Sequence, residues 1–214
     1  MKINLEVFFD QIRDLSVLSS EDETRQILNG VFVDIAPAGE VLFVATDGRR
    51  LGVINPGLVV SPAPEKRTGF VIPRELIEVI PECGLKAILE YGSETQRIRI
   101  SVAGGLSFSG RAHEGNYPNW REVLPPPPYV QAGKIVCDYN LLEGFVSACG
   151  KSMHGWSGIA LYRNVPTQSG EDYRAPIVVA TSNPDFFGIL MPMKSLDGDG
   201  NLPPKIDRPT WLRN

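Results

Sequence analysis

Three stretches of this 214-residue chain repeat one order of elements, at a period of roughly sixty to seventy residues that marks stacked supersecondary units. Each reads as a strand, a helix and three further strands. In the first, Ile3-Asn4-Leu5 is a short strand, and Phe8, Phe9, Ile12 and Leu15 follow at helical spacing from Val7 onward. Ser20 with Glu23 three residues later has the layout of a capping box and predicts another helical turn. Gly30–Ile35, Val41–Ala45 and Arg50–Ile54 are rich in β-branched and aromatic residues. The turn sequences Pro37-Ala38-Gly39 and Asp47-Gly48 separate them.

The second stretch repeats the pattern with Gly69–Ile72, a helix entered at Pro73 and running to about Ile80, and strands Lys86–Tyr91, Arg97–Val102 and Leu106–Arg111. Arg97, Arg99 and Ser101 alternate with Ile98, Ile100 and Val102, as in a sheet wet on one face. Pro125 to Pro128 reads as an extended linker. Beyond it come a strand at Lys134–Cys137 and a helix from Tyr139 to about Lys151, with Leu141, Leu142, Phe145 and Val146 inward. Three more strands follow at Ile159–Tyr162, Ala175–Thr181 and Phe186–Met193. Residues 195–214 form a polar tail. The pattern predicts an α+β protein of repeated β-α-β-β-β units, and an odd number of units leaves one without a partner.

Charge and chemistry narrow the function. With 21 Lys+Arg against 25 Asp+Glu the net charge is -4, which excludes an ordinary basic nucleic-acid protein. No apolar run is long enough to cross a bilayer, the opening residues lack a signal-peptide layout, and three scattered cysteines argue against a disulfide framework. A cytoplasmic protein is the expectation. The two histidines, His113 and His154, lie in no nucleophile motif. Asp197-Gly198-Asp199-Gly200-Asn201 opens like a calcium loop, but position six is Leu202 and position twelve is Arg208. Neither catalysis, a metal nor a cofactor is expected.

Three segments carry a resemblance. Leu28-Asn29-Gly30 leading to Val44-Ala45-Thr46-Asp47-Gly48-Arg49-Arg50-Leu51 is the first, and Glu114-Gly115-Asn116-Tyr117-Pro118-Asn119-Trp120-Arg121-Glu122-Val123-Leu124-Pro125 the second. Ile189-Leu190-Met191-Pro192-Met193-Lys194 is the third. In this order they resemble signature segments of the bacterial DNA polymerase III beta subunit, the sliding clamp family. The resemblance implies the DNA-clamp fold, with helices on one face of curved antiparallel sheets. It implies a complete domain of two units at 1–125, a shortened domain of one unit at 126–194, and the tail. A family protomer has six such units, and two protomers close a ring.

The same resemblance implies a non-catalytic replication and processivity factor that binds partner peptides of polymerase or repair proteins in a hydrophobic groove. Carried over by position, that groove consists of Leu28, Thr46, Gly48, Arg49, Arg50, Leu51, Pro125, Ile189, Leu190, Met191, Pro192 and Met193. Arg50 is expected to fork to a peptide carbonyl or carboxylate, the methionines to repack around different ligands, and Arg49 stands where the family usually has histidine. Double-stranded DNA is implied as a partner along the helices, through Arg13, Arg74 and Lys151, although Asp10, Asp14, Glu75, Glu78 and Glu143 offset them. A dimer or tetramer is expected, in which unpaired third units complete each other. A competing expectation has the tail fold back, with Trp211 and Leu212 in the groove. The alternative function is a non-ring adaptor or decoy competing with a full clamp for its partners.

Overall fold

The first and second units exchange their opening strands. The computed structural model describes residues 2–81, 84, 86–131, 137–149, 158–164 and 175–192. Unit one comprises β1 (Lys2–Phe8), α1 (Phe9–Ser16), β2 (Gly30–Ile35), β3 (Val41–Thr46) and β4 (Arg50–Ile54). Unit two comprises β5 (Thr68–Pro73), α2 (Arg74–Glu78), β6 (Lys86–Gly92), β7 (Arg97–Ser101) and β8 (Ser107–Arg111). Strand β1 pairs with β6 of unit two, and β5 pairs with β2 of unit one, every pairing antiparallel. Two sheet orders result, β1-β6-β7-β8 and β5-β2-β3-β4.

Among the described residues unit three exchanges no strand with another unit. It comprises β9 (Tyr129–Gln131), α3 (Tyr139–Ala148), β10 (Ile159–Asn164), β11 (Ile177–Thr181) and β12 (Phe186–Leu190). Its own β9 takes the place beside β10, with Tyr162 opposite Gln131, that an exchanged strand fills in the other units. At the other end β12 pairs with β4, so the second sheet continues as β5-β2-β3-β4-β12-β11-β10-β9. The opening strand of this unit thus begins right after the prolines. Of the stretch expected to form it, residues 134–136 lie outside the described residues and Cys137 is in no strand. Two other expectations change. The Ser20 hydroxyl accepts the Asp22 N–H instead of capping at Glu23, and Asp22 itself caps the 3-10 turn Glu23–Leu28 by accepting the Thr24 N–H. Val146 is exposed, and Phe145 and Ala148 hold the inner face of α3.

The helices lie together on one side of the sheets. The main core gathers Phe9, Ile12 and Leu15 of α1, Leu76 and Ile77 of α2 and Phe145 of α3 over alternate residues of both sheets. Close approach at the β4–β12 seam depends on glycine. A Cβ on Gly52 would stand 2.4 Å from Leu18 Cδ1, and one on Gly188 would stand 2.8 Å from Phe145 Cε1. No helix among the described residues is long and apolar enough to cross a membrane.

The opposite face of the eight-stranded sheet is also covered, by the segment from Tyr117 to Tyr129. Its anchor is Asp34 of β2, 1% exposed. The carboxylate accepts the Trp120 indole N–H at 3.0 Å, Arg121 at 2.5 Å and Arg67 at 2.9 Å. A carboxylate removed from water requires such partners. Tyr117 stacks on Phe32 with ring centroids 4.4 Å apart. We expect Asp34→Ala to lower stability by about 2–3 kcal/mol, because the buried indole N–H and two partly exposed arginines lose their acceptor. Asp34→Asn, which retains an acceptor oxygen, should cost less. Urea unfolding followed by tryptophan fluorescence measures both; an unchanged midpoint for the alanine variant would show that the segment is held by other contacts.

Candidate functional site

The hairpin between β3 and β4 is built by its own polar side chains. Thr46 Oγ1 donates to the Arg50 carbonyl at 2.6 Å and accepts the Gly48 N–H at 3.1 Å. Asp47 Oδ1 accepts the N–H groups of Arg49 and Arg50 at 2.8 and 2.9 Å. Gly48, at φ 86°, supplies the left-handed turn residue. Against this hairpin runs the end of β12. Ile189 is opposite Leu51, Leu190 is opposite Arg50, and the Met191 N–H donates to the Arg49 carbonyl at 2.8 Å. Two of the three sequence segments that carried the resemblance are therefore neighbours.

Strand alternation sorts their side chains onto two faces. Of the expected groove residues, Arg50 and Leu190 face the helices, on the opposite side of the sheet from Leu51 and Ile189. Leu190 is fully buried in the main core. Arg50 Nε donates to Asp47 at 2.9 Å, Nη2 to the Val17 carbonyl at the end of α1 at 2.9 Å, and Nη1 reaches the Asn140 carbonyl of α3 at 3.4 Å. The guanidinium thus joins the hairpin to two helices, instead of standing open to a peptide carboxylate. It passes so close to α3 that a Cβ on Gly144 would lie 1.9 Å from Nη1.

Leu51 and Ile189 face outward and join Val44, Val53, Trp120 and Val178 in a second apolar cluster. Phe32, Leu42, Tyr117, Leu124, Tyr129, Tyr162 and Phe187 pack partly buried around it. At the open end of this surface, Gly48, Arg49 and Met191 are exposed, and Thr46 and Pro192 are half-buried. Leu28 is buried at the end of the 3-10 turn whose Arg25 approaches Gly48. Pro125 is buried, and its carbonyl accepts the Tyr129 hydroxyl at 2.7 Å. Met193 lies outside the described residues. The outward Val44, Val53, Val178 and Phe187 and the covering Trp120 were not among the expected groove residues. The signal for Val44, Val53 and Phe187 was period-two alternation with Thr46, Leu51 and Ile189, whereas Val178 joins them as the cross-strand partner of Ile189.

Tyr117 adds a polar atom beneath this surface. Its hydroxyl is buried near the Thr46 backbone without a hydrogen bond of ordinary geometry. Burial pushes its pKa up, and the Thr46 backbone only partly offsets that. The arrangement suits an apolar anchor of a ligand bordered by one cation. Among the described residues no group of three or more His, Cys, Asp or Glu is placed to hold a metal.

On the helix side, the expected DNA-facing cations are compensated. Arg13 pairs with Asp10 at 3.1 Å and donates to the Ile80 carbonyl. Arg74 pairs with Glu78 at 2.7 Å and Glu21 at 3.0 Å. Partial burial opposes the Arg74 charge, but the two carboxylates outweigh it and raise its pKa. Lys151 lies outside the described residues.

Residues 2–119 match the family model described as DNA polymerase III beta subunit, central domain. The beta sliding clamp of Treponema pallidum is 33% identical over 110 residues, covering 50% of this chain and 28% of that protein. The beta sliding clamp of Salmonella typhimurium is 29% identical over 152 residues, covering 67% of this chain and 38% of that protein. This chain therefore spans well under half the length of these relatives. Among solved structures, DNA polymerase III subunit beta from Pseudomonas aeruginosa aligns with a TM-score of 0.56 at 19% identity, covering 89% of this chain and 66% of that one. The Helicobacter pylori beta clamp bound to a DNA ligase peptide aligns with a TM-score of 0.56 at 15% identity, covering 89% and 65%. At such identities the structures speak for the fold.

The Arg50–α3 contact makes a prediction whose sign depends on background. Gly144→Ala should destabilise by about 1–2 kcal/mol, because the added methyl displaces a tethered guanidinium. With Arg50→Ala already present, the same change should be neutral or stabilising by up to ~1 kcal/mol, because alanine is the better helix former. A double-mutant cycle in urea measures the coupling; additive effects would mean that Arg50 does not hold α3.

Proposed function

This chain belongs to the DNA polymerase III beta subunit family, and from that premise we propose that it serves DNA replication as a sliding-clamp-like processivity factor. It binds short partner peptides at the outer surface where the β3–β4 hairpin meets the end of β12. The observation that carries this reading is the pairing of Leu51 with Ile189 beside exposed Met191 and Arg49. An apolar partner side chain seated there leaves water at a gain of roughly 1.5–3 kcal/mol if fully buried. Met191 adapts its unbranched side chain to the anchor, and Arg49 favours an acidic neighbour. The DNA ligase peptide bound to the Helicobacter pylori relative supports a linear peptide as the ligand class.

The groove in this reading comprises Leu28, Thr46, Gly48, Arg49, Leu51, Pro125, Ile189, Met191, Pro192 and Met193, backed by Val44, Val53 and Trp120. Residues 1–125 act as a complete clamp domain and 126–194 as a shortened one. In this reading four copies of this chain supply the twelve units of a ring made by two six-unit protomers, and two copies supply half of one. Such a factor works in the cytoplasm, where the DNA and its polymerases are.

Two measurements test the proposal. A fluorescein-labelled DNA ligase peptide should bind the full chain, and Met191→Ala should weaken it about tenfold, close to the value of a largely buried side chain. The chain should also be retained on closed circular DNA and released when that circle is cut. Peptide binding without topological retention would instead identify a non-ring adaptor competing for clamp partners, and absence of peptide binding would remove both readings.

A further inference from the structure

The buried carboxylate of Asp34 has more positive charge around it than folding requires. One guanidinium is enough to neutralise it, yet Arg67 donates to Oδ1 and Arg121 to Oδ2, with the Trp120 indole N–H also on Oδ2. Asp34 is withdrawn from water, whereas Arg67 and Arg121 are 47% and 33% exposed. A guanidinium is a rigid fork of N–H donors, and among the described residues each of these two uses a single one, on Asp34. Arg121 is held further by the Trp120 ring, whose centroid lies 3.9 Å from its Cζ. Two cations are thus fixed by one buried anion, with one positive charge in excess and most of their donors unused.

Both arginines line a cavity of about 290 Å³, at the small end of the range for ligand pockets. Leu42 of β3 and Leu58 and Val59 of the segment after β4 give it an apolar lining, and Val59 is 64% exposed. Main-chain bonds fix that segment. The Val41 N–H donates to the Leu58 carbonyl at 3.1 Å, and the Val60 N–H donates to the Gly39 carbonyl at 2.8 Å. Asn55, also in the lining, closes the turn before them by accepting the Gly57 N–H at 2.9 Å through its side-chain oxygen. Glu40 completes the charged lining and has no ion-pair partner among the described residues. The cavity is at the Val41 end of β3, and the peptide groove is at the Thr46 end.

We infer that this cavity binds a small organic monocarboxylate, its carboxylate held by Arg67 and Arg121 and its apolar body against Leu42, Leu58 and Val59. The planar guanidinium fork matches a carboxylate in geometry. Charge selects the valence. The arginines exceed Asp34 by one charge, and Glu40 repels a second negative charge, so a phosphate dianion fits less well than a carboxylate. The apolar lining favours a ligand with a hydrocarbon body over a bare anion, because such a body covers Val59. Since Asp34 and Trp120 already hold the cations, little ordering remains to be done on binding. The inference does not rest on the peptide groove or on ring formation.

The test titrates the full chain, isotope-labelled at nitrogen, with sodium benzoate at neutral pH and reads amide shifts by NMR. Saturable shifts are expected at Glu40, Gly57, Val59, Arg67 and Arg121, with a millimolar dissociation constant. Benzamide, of the same shape and uncharged, should not saturate. Arg67→Gln should weaken benzoate about tenfold, the value of one charge-assisted pair. Arg121 and Trp120 still satisfy Asp34 in that variant, so its urea midpoint should stay near the parent's. Asn55→Asp retains the acceptor for the Gly57 N–H and adds negative charge to the lining; it should weaken benzoate about fivefold and keep the fold. Absence of saturation overturns the inference, as does equal binding of benzamide or tighter binding of inorganic phosphate. Shifts of equal size at the exposed Arg97, Arg99 and Arg111 would mean that benzoate meets any guanidinium, and they also overturn it. If Arg67→Gln unfolds, Asn55→Asp decides, and unchanged affinity in a folded variant of either kind sinks the assignment.

Discussion

The antiparallel pairing of β4 with β12 is the constraint on which the rest of the molecule depends. It merges the third unit into the sheet of the first, and it puts the hairpin at residues 46–51 against the strand end at 189–192. A slip of one residue would turn Leu51 and Ile189 inward and force Arg50 into the outer cluster. The polar contacts of Arg50 oppose that slip, because its guanidinium finds Asp47 and the helix carbonyls on the inner side only. Glycines at 52, 144 and 188 then let helices and arginine approach a seam that larger side chains would hold apart. Register, site and helix packing are consequences of one strand pair.

The exchange of opening strands pairs the first two units, and the third, among the described residues, fills the equivalent slot from within. In units one and two the slot beside the first strand of each triplet is filled by the other unit's strand. In unit three the same slot is filled from within by β9, only three residues long. Short edge strands of this kind limit unwanted pairing. The four-stranded sheet, by contrast, ends in the longer β8, whose outward groups at 107–111 have no strand beside them among the described residues. The two sheets thus manage their edges differently.

Much of the fold was legible in the sequence, because period-two and period-3.6 patterns mark buried faces directly. The bounds of β2 and β4 were readable from β-branched runs ended by turn residues, and α1 from Phe9, Ile12 and Leu15. Strand β9 was not readable. Its three residues follow a proline run and become a strand only through distant β10, information that no local pattern contains. The Ser20 capping box failed because Asp22, two residues on, competes for the same turn and wins the Thr24 N–H. At the site, resemblance identified positions along the chain but not faces of a sheet. Arg50 and Leu190 were therefore grouped with Leu51 and Ile189, although adjacent residues of a strand point in opposite directions. Trp120 belongs to the outer cluster because its indole N–H finds buried Asp34, a tie across 86 positions that neither residue announces alone.

The distribution of charge bears on how such a molecule meets its partners. Cations on the helix side are neutralised at close range, Arg13 by Asp10 and Arg74 by Glu21 and Glu78, so that face offers little fixed positive potential to phosphates. Three exposed arginines stand instead on the outer face of the four-stranded sheet, two of them without a counter-ion among the described residues. An encircling clamp needs only weak, sequence-independent contact with DNA, because topology supplies the retention. Near-neutral helices are compatible with sliding and incompatible with tight binding by an open, unclosed chain. In the proposed clamp, retention on DNA would therefore come from closure, and affinity for proteins from the outer surfaces.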